Sequence, residues 1–117
     1  MDAALDLDLD DVRRRLEKER AELRASSEER VADRHAVELD QPSVGRLSRM
    51  DALQGQAMAQ ATEERRQLRI DAIEAALERL DDGSFGICVR CGEPIAPKRL
   101  ALDLTVPTCI TCAERSD

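Results

Sequence analysis

The sequence predicts a mainly α-helical protein, an antiparallel two-helix coiled-coil hairpin followed by a small module that contains four cysteines. Three observations predict this fold class. The composition favours long helices, because 42% of the residues are apolar, 37% are charged and only 1% are aromatic. Apolar residues recur every three or four positions along two long segments. All four cysteines, three of the four prolines and three of the five glycines lie after residue 82.

The first helix is predicted to begin near Asp8 to Asp11, where clustered carboxylates suit the positive end of the helix dipole. A tip loop is predicted over about residues 37–48, because Pro42 and Gly45 both disfavour the interior of a helix. The apolar residues of the first helix keep a spacing of three, four and seven positions: Leu9, Val12, Leu16 and Leu23.

The second helix is predicted to open at Ser48, which forms a capping box with Asp51 three residues later. A connection as short as the tip loop makes the two helices antiparallel neighbours in one chain. An intermolecular coiled coil is the alternative, because Pro42 could also end one helix that pairs with another chain. Two apolar series are predicted to form the coiled-coil seam: Met50, Leu53, Ala57 and Ala61, then Ile70, Ile73, Leu77 and Leu80.

A domain boundary is predicted at the change in composition near Gly83, a residue suited to end a helix in the left-handed conformation. Residues 1–82 would then form the helical hairpin and residues 83–117 the cysteine-containing module. We also expect the only aromatic residue, Phe85, to pack this module against the end of the hairpin.

The cysteines form two C-x2-C pairs separated by seventeen residues, the spacing of a four-thiolate zinc site. Each C-x2-C pair can form a tight turn, called a knuckle, and two knuckles can direct four sulfurs at one ion. A disulfide framework is disfavoured in the reducing cytoplasm, where we expect the protein. A redox pair would need one C-x2-C in a βαβ context, and an iron–sulfur cluster is a poorer match to two separated knuckles. We therefore predict a zinc finger with one structural zinc ion, held by Cys88, Cys91, Cys109 and Cys112.

Charge and composition exclude several functions. The formal net charge of −7 argues against adhesion to DNA or to an anionic membrane. The N-terminal residues lack a basic region and an apolar signal core, and no segment is apolar enough to cross a membrane. No nucleophile–base pair, phosphate-binding glycine loop or open metal site is evident, so we do not expect an enzyme.

Residues 82–95, which read DGSFGICVRCGEPI, closely resemble the zinc finger of the DksA/TraR family. Arg99-Leu100 and the second C-x2-C pair extend the resemblance, and the helical hairpin matches the architecture of that family. The resemblance implies a bacterial transcription regulator that acts on RNA polymerase through the secondary channel and does not bind DNA directly. It also implies that ppGpp, where it matters, binds only in the polymerase complex. We expect the regulator to be monomeric.

DksA-like members of the family act through acidic residues at the tip of the hairpin, in an Asp-x-x-Asp-x-Ala motif. That motif does not occur between residues 38 and 53 of this chain. The candidate partner-binding residues are therefore Asp40 and Asp51, flanked by Arg46 and Arg49. Asp51 could instead only cap the second helix, and the arginines could only keep the loop soluble.

Two other functions remain open from the residues alone. The protein could be a structural adaptor whose hairpin binds another helical partner. It could also be a redox or zinc-sensing switch that loses its metal when the thiols oxidise.

Overall fold

The computed structural model of the chain describes residues 7–39 and 46–115, and it describes side-chain placement for residues 7–29 and 49–115. Within these residues the fold is helical, and the only pairing of extended backbone is an isolated antiparallel bridge between Ile87 and Pro94. None of the helices in the described part of the chain is long and apolar enough to span a membrane. The four helices are α1 (Leu9–Leu39), α2 (Arg46–Asp82), α3 (Pro97–Leu102) and α4 (Ile110–Arg115).

The described ends of the long helices are set by local chemistry. The first helix begins at Leu9, within the predicted range. The Asp8 carboxylate caps it by accepting hydrogen bonds from the backbone N–H groups of Asp10 and Asp11, at 3.0 and 3.2 Å. At the end of the second long helix, α2 stops at Asp82, and Gly83 adopts the predicted left-handed conformation with φ 81°.

The predicted start of α2 at Ser48 is wrong, because the helix begins at Arg46. Arg and Leu are both good helix formers, so Arg46 and Leu47 extend the helix toward the loop beyond the capping-box position.

The described residues divide into two compact units. One unit joins the residues up to Arg20 with those from Asp71 onward, and the other contains Ala21–Ile70. The domain boundary predicted at residue 83 stays a prediction.

In the first unit, the beginning of α1 lies antiparallel to the end of α2. Arg13 pairs with Asp81 at 2.7 Å, and Arg20 approaches Glu74 at 4.0 Å. The residue number therefore rises along α1 while it falls along α2, as two antiparallel helices require. The unit has one buried apolar core shared by the helices and the cysteine-containing segment, which includes Val12, Leu16, Ile73, Leu77, Phe85, Ile95 and Leu100.

In the second unit, a polar contact joins α1 to α2. The Ser27 hydroxyl donates a hydrogen bond of 2.6 Å to the carboxylate of Glu63, which also forms a close ion pair with Arg66. Among residues 21–29 and 49–70, Ile70 is the buried apolar residue. Together with the antiparallel helices of the first unit and the clustered cysteines, this pairing confirms the predicted fold class.

The predicted seam is wrong at the start of α2. Met50 and Leu53 are 60% and 65% exposed, and Ala57 is exposed as well. Ile73 and Leu77 are buried, and the residues one heptad before them, Arg66 and Ile70, also have covered side chains.

The two apolar series of α2 are therefore out of register. Moving forward from Met50 or Leu53 by whole heptads leads to Asp71 and Glu74, which lie outside the apolar seam. One straight stripe cannot contain both series. Ile70, Ile73 and Leu77 of the series that ends at the cysteine-containing segment are therefore buried, whereas Met50, Leu53 and Ala57 of the other series face solvent.

The two short helices were not predicted from the sequence. Pro97 occupies the first turn of α3, where its fixed φ suits a helix and its missing N–H costs nothing. The short helix places Leu100 in the core with no exposed surface.

A four-cysteine metal centre

The first C-x2-C pair lies in a tight turn closed by backbone hydrogen bonds. The N–H of Cys88 donates to the carbonyl of Glu93 at 2.8 Å, and the N–H of Gly92 donates to the carbonyl of Cys88 at 3.0 Å. Gly92 has φ 77°, which explains the glycine there. A Cβ at Gly92 would meet no atom within 4 Å, so backbone conformation rather than crowding requires this residue.

The second C-x2-C pair lies at the start of α4. The N–H of Cys112 points at the sulfur of Cys109 at 3.5 Å, and the N–H of Ala113 donates to the carbonyl of Cys109 at 3.0 Å. The N–H of Val89, in the first knuckle, donates to the carbonyl of Pro107 at 2.9 Å. This last bond joins the first knuckle to the backbone that leads into the second.

The fold brings the four predicted ligands together. Their sulfur atoms all lie within 4.8 Å of one another, and those of Cys91 and Cys109 are 3.7 Å apart. Four sulfurs about 2.3 Å from a tetrahedral zinc ion are separated by about 3.8 Å. The cluster therefore fits one zinc ion, and four protein ligands leave no open position for a reacting water.

The electrostatics of the cluster also favour a divalent cation. Burial raises the pKa of the Cys88 thiol, but backbone N–H groups, including those of Cys109 and Cys91, stabilise its thiolate and bring the pKa down to about 6. The hydrogen bond with the Cys109 thiol and burial raise the pKa of Cys112 to about 12. The four thiols cannot all ionise side by side without a positive charge to offset their repulsion.

Three arginines support the segment around the second knuckle by donating to backbone carbonyls. This role could not be predicted from the sequence, because any residue can supply the accepting backbone carbonyl. The donors and acceptors are Arg79 to Thr105 at 3.2 Å, Arg99 to Thr108 at 2.9 Å and Arg90 to Cys112 at 3.3 Å.

Phe85 is only 6% exposed, within the unit that contains both the helix ends and the cysteines. Its N–H and that of Ser84 both donate to the carbonyl of Arg79, at 3.1 and 2.9 Å. The chain therefore turns back directly after α2 and carries the aromatic ring into the core.

The predicted tip residues are described only in part. Asp40 lies outside the described residues, and Arg46 begins α2 without a described side chain. Arg49 and Asp51 are exposed in the first turns of α2. A partner-binding role for these four residues stays a prediction.

The comparisons with known proteins agree with the metal centre. Residues 83–117 match the family model of the prokaryotic dksA/traR C4-type zinc finger. Because this match coincides with the clustered cysteines, the predicted cofactor, a structural zinc ion, is confirmed.

Individual relatives extend the similarity into the helices. The chain is 36% identical over 61 residues to the RNA polymerase-binding transcription factor DksA of Caulobacter vibrioides, a match that covers 52% of this chain and 43% of that protein. It is 45% identical over 42 residues to an uncharacterized protein of Aquifex aeolicus, of which it covers 29%. The chain thus spans less than half the length of these curated relatives.

The fold has a solved counterpart. The structure of transcription factor DksA2 from Pseudomonas aeruginosa matches with a TM-score of 0.74 and 35% identity. The match covers 92% of this chain and 81% of that structure, so it includes the helices as well as the zinc finger.

Proposed function

This chain belongs to the DksA/TraR family, and from that membership we propose that it regulates transcription by binding bacterial RNA polymerase. The observation that carries the proposal is the combination of a helical hairpin and a four-cysteine zinc finger in one fold, with 35% identity to DksA2 across most of both chains. The relative from Caulobacter vibrioides, described as a polymerase-binding transcription factor, supports the same partner.

The proposed mode of action is insertion of the hairpin into the secondary channel of the polymerase. The connection between α1 and α2 would enter first and bring Asp40 and Asp51 toward the catalytic centre, with Arg46 and Arg49 contacting the channel wall. The zinc ion would act as a clamp that holds the cysteine segment folded against the ends of α1 and α2. The regulator itself would catalyse no reaction.

The charge distribution supports a protein partner rather than DNA. The four basic and four acidic residues of segment 83–117 cancel, so the formal charge of −7 resides in residues 1–82. Four thiolates with one zinc ion add about two further negative charges. A surface that follows a nucleic-acid backbone needs clustered lysines and arginines, so we propose that this zinc finger does not bind DNA. The regulator would work in the cytoplasm as a monomer, with any ppGpp bound at the polymerase.

Binding to core polymerase tests the proposal directly. We expect the zinc-loaded chain to be retained by immobilised core enzyme at low salt and to change transcription from a sensitive promoter in a purified system. Adding ppGpp to the same reactions determines whether the alarmone contributes. An adaptor that acts on other proteins would show no retention at low salt, and that result would eliminate the transcription proposal.

Substitutions at the tip test its mechanism. We expect Asp40→Asn and Asp51→Asn to impair regulation more than binding, because the carboxylates would act after the hairpin has docked. Glu22→Gln, which removes an exposed carboxylate from α1 outside the tip, is the matched control and should change neither. Equal losses of binding and regulation in the tip variants would reject an active tip.

A further inference from the structure

The backbone that leads into the second knuckle is held by two hydrogen bonds from other parts of the zinc-binding segment. The carbonyl of Pro107 accepts the N–H of Val89, which lies in the first knuckle, at 2.9 Å. The next carbonyl, that of Thr108, accepts the guanidinium Nε–H of Arg99 at 2.9 Å. Thr108 directly precedes the zinc ligand Cys109, so these two bonds determine where that ligand enters the cluster.

The backbone of Arg99 is well supported at both of its polar groups. Its N–H donates to the carbonyl of Ala96 at 3.0 Å, and its carbonyl accepts the N–H of Asp103 at 3.1 Å. The next residue, Leu100, has no exposed surface and anchors α3 in the core. A half-buried arginine on such a support loses little further conformational freedom when its planar guanidinium makes a hydrogen bond.

We propose that Arg99 is a positioning residue of the zinc site, which holds Cys109 in place for a tetrahedral ion through the carbonyl of Thr108. The hydrogen bond goes to the backbone, so its effect on the ion passes through the ligand that follows. Groups that orient metal ligands typically change metal affinity by about 10–100-fold when they are removed. We therefore expect slow release of zinc to require this bond.

Arg90 makes a weaker contact of the same kind. It lies inside the first knuckle and donates to the carbonyl of Cys112, but the distance is 3.3 Å. Arg90 is also exposed, so water competes for its donor groups. Because a hydrogen bond weakens as its length increases, we expect Arg90 to contribute less to zinc retention than Arg99.

The positive charge of Arg99 offers a different explanation that the test has to separate. Four thiolates with one zinc ion carry about two negative charges, which a nearby cation stabilises. Lys98, the preceding residue of α3, is exposed and carries the same charge. An effect of charge would be shared by both residues, whereas the bond to Thr108 belongs to Arg99.

Release of zinc from the loaded full chain tests the proposal, measured with enough chromogenic chelator that the rate no longer depends on its concentration. Arg99→Met places a methyl group where the donor nitrogen stands, and we expect release at least about tenfold faster than from the parent chain. Arg99→Gln removes the charge but keeps an N–H at the same position along the side chain, so its release rate should stay close to that of the parent. Lys98→Met is the matched control for charge and should also release zinc at the parent rate.

Cobalt(II) substitution separates positioning from a general loss of stability. Tetrahedral cobalt absorbs visible light much more strongly than cobalt of higher coordination number, so its spectrum reports the geometry of the ligands. We expect weakened and shifted bands in Arg99→Met and a spectrum like that of the parent in Arg99→Gln. Ile95→Val removes one methylene group from the buried core and is the control for stability. It should keep the parent spectrum even if it releases zinc faster.

Several results would overturn the proposal. Parent-like release from Arg99→Met would do so, as would fast release with an unchanged cobalt spectrum, because the latter indicates a loss of stability alone. Release from Arg99→Gln as fast as from Arg99→Met would show that the donor is not what matters. An equal acceleration in Lys98→Met would assign the effect to charge.

Arg99→Gln decides the question alone if Arg99→Met loses its zinc during purification. Retention of zinc by Arg99→Gln at the parent rate then supports the proposal, and loss of zinc rejects it. Polymerase is absent from all of these measurements, so their outcome is independent of the proposed function.

Discussion

Arg79 connects the end of α2 to the zinc-binding segment through both its backbone and its side chain. Its carbonyl accepts the N–H groups of Ser84 and Phe85, and its guanidinium donates to the carbonyl of Thr105. Desolvation lowers the pKa of Arg79, and the nearby charge of Asp82 opposes this effect. A partly buried guanidinium benefits from its carbonyl acceptor, and the carbonyl of the buried Thr105 benefits from this donor.

We expect Arg79→Met to lower the free energy of unfolding by about 1–3 kcal/mol, because it keeps most of the aliphatic stem and removes the donor to Thr105. Urea unfolding of the zinc-loaded protein measures the change. Arg15→Met is the control, because Arg15 is exposed and pairs with Asp11 only within α1, so it should cost less than about 0.5 kcal/mol. Similar losses in both variants would contradict a specific role for the Thr105 contact.

At the scale of the elements, predictability depends on how local the determining chemistry is. The acidic start of α1 and the Gly83 stop act within a few residues, so the sequence alone was enough to place both helix ends. Which face of α2 packs against α1, by contrast, does not depend on neighbouring residues alone. The series beginning at Met50 has the same spacing as the series beginning at Ile70, and only the register between them indicates that both cannot be buried.

The zinc centre also has a part that the sequence predicts and a part that it does not. The C-x2-C spacing predicts which thiols converge, because two residues between cysteines allow one tight knuckle. The hydrogen bonds from Arg90 and Arg99 to carbonyls near the second knuckle depend on the folded path of the chain, and arginines elsewhere in the sequence look the same. The helices α3 and α4, with six residues each, are too short for periodicity to identify.

Truncation of one residue from each apolar series tests the corrected seam. We expect Ile73→Ala to lower the free energy of unfolding by about 2–5 kcal/mol, because Ile73 is fully buried and its loss would leave a cavity. Leu53→Ala should change it by less than about 0.5 kcal/mol, because Leu53 is 65% exposed. Both values come from urea unfolding of the zinc-loaded protein. A large loss for Leu53→Ala would restore the original seam.

At the scale of the whole molecule, the metal compensates for a small core. Among described residues 83–115, the large buried apolar side chains are Phe85, Ile95 and Leu100. A segment of this size rarely folds on so little apolar surface without a disulfide or a metal. The zinc ion joins two knuckles that lie far apart in sequence, so its binding free energy becomes folding free energy for the segment between them.

Removal of zinc should therefore unfold the cysteine segment. We expect a strong chelator to release one zinc ion per chain, because the four clustered thiols form a single tetrahedral site. Hydrogen exchange should then lose protection after Gly83, including the bonds from Cys88 to Glu93 and from Val89 to Pro107. Cys91→Ser should approach the same state with zinc present, whereas Arg15→Met should hold its zinc as the parent chain does. Full protection of those two amides in the zinc-free chain would show that the apolar core folds this segment on its own, and that the ion only occupies a site already formed.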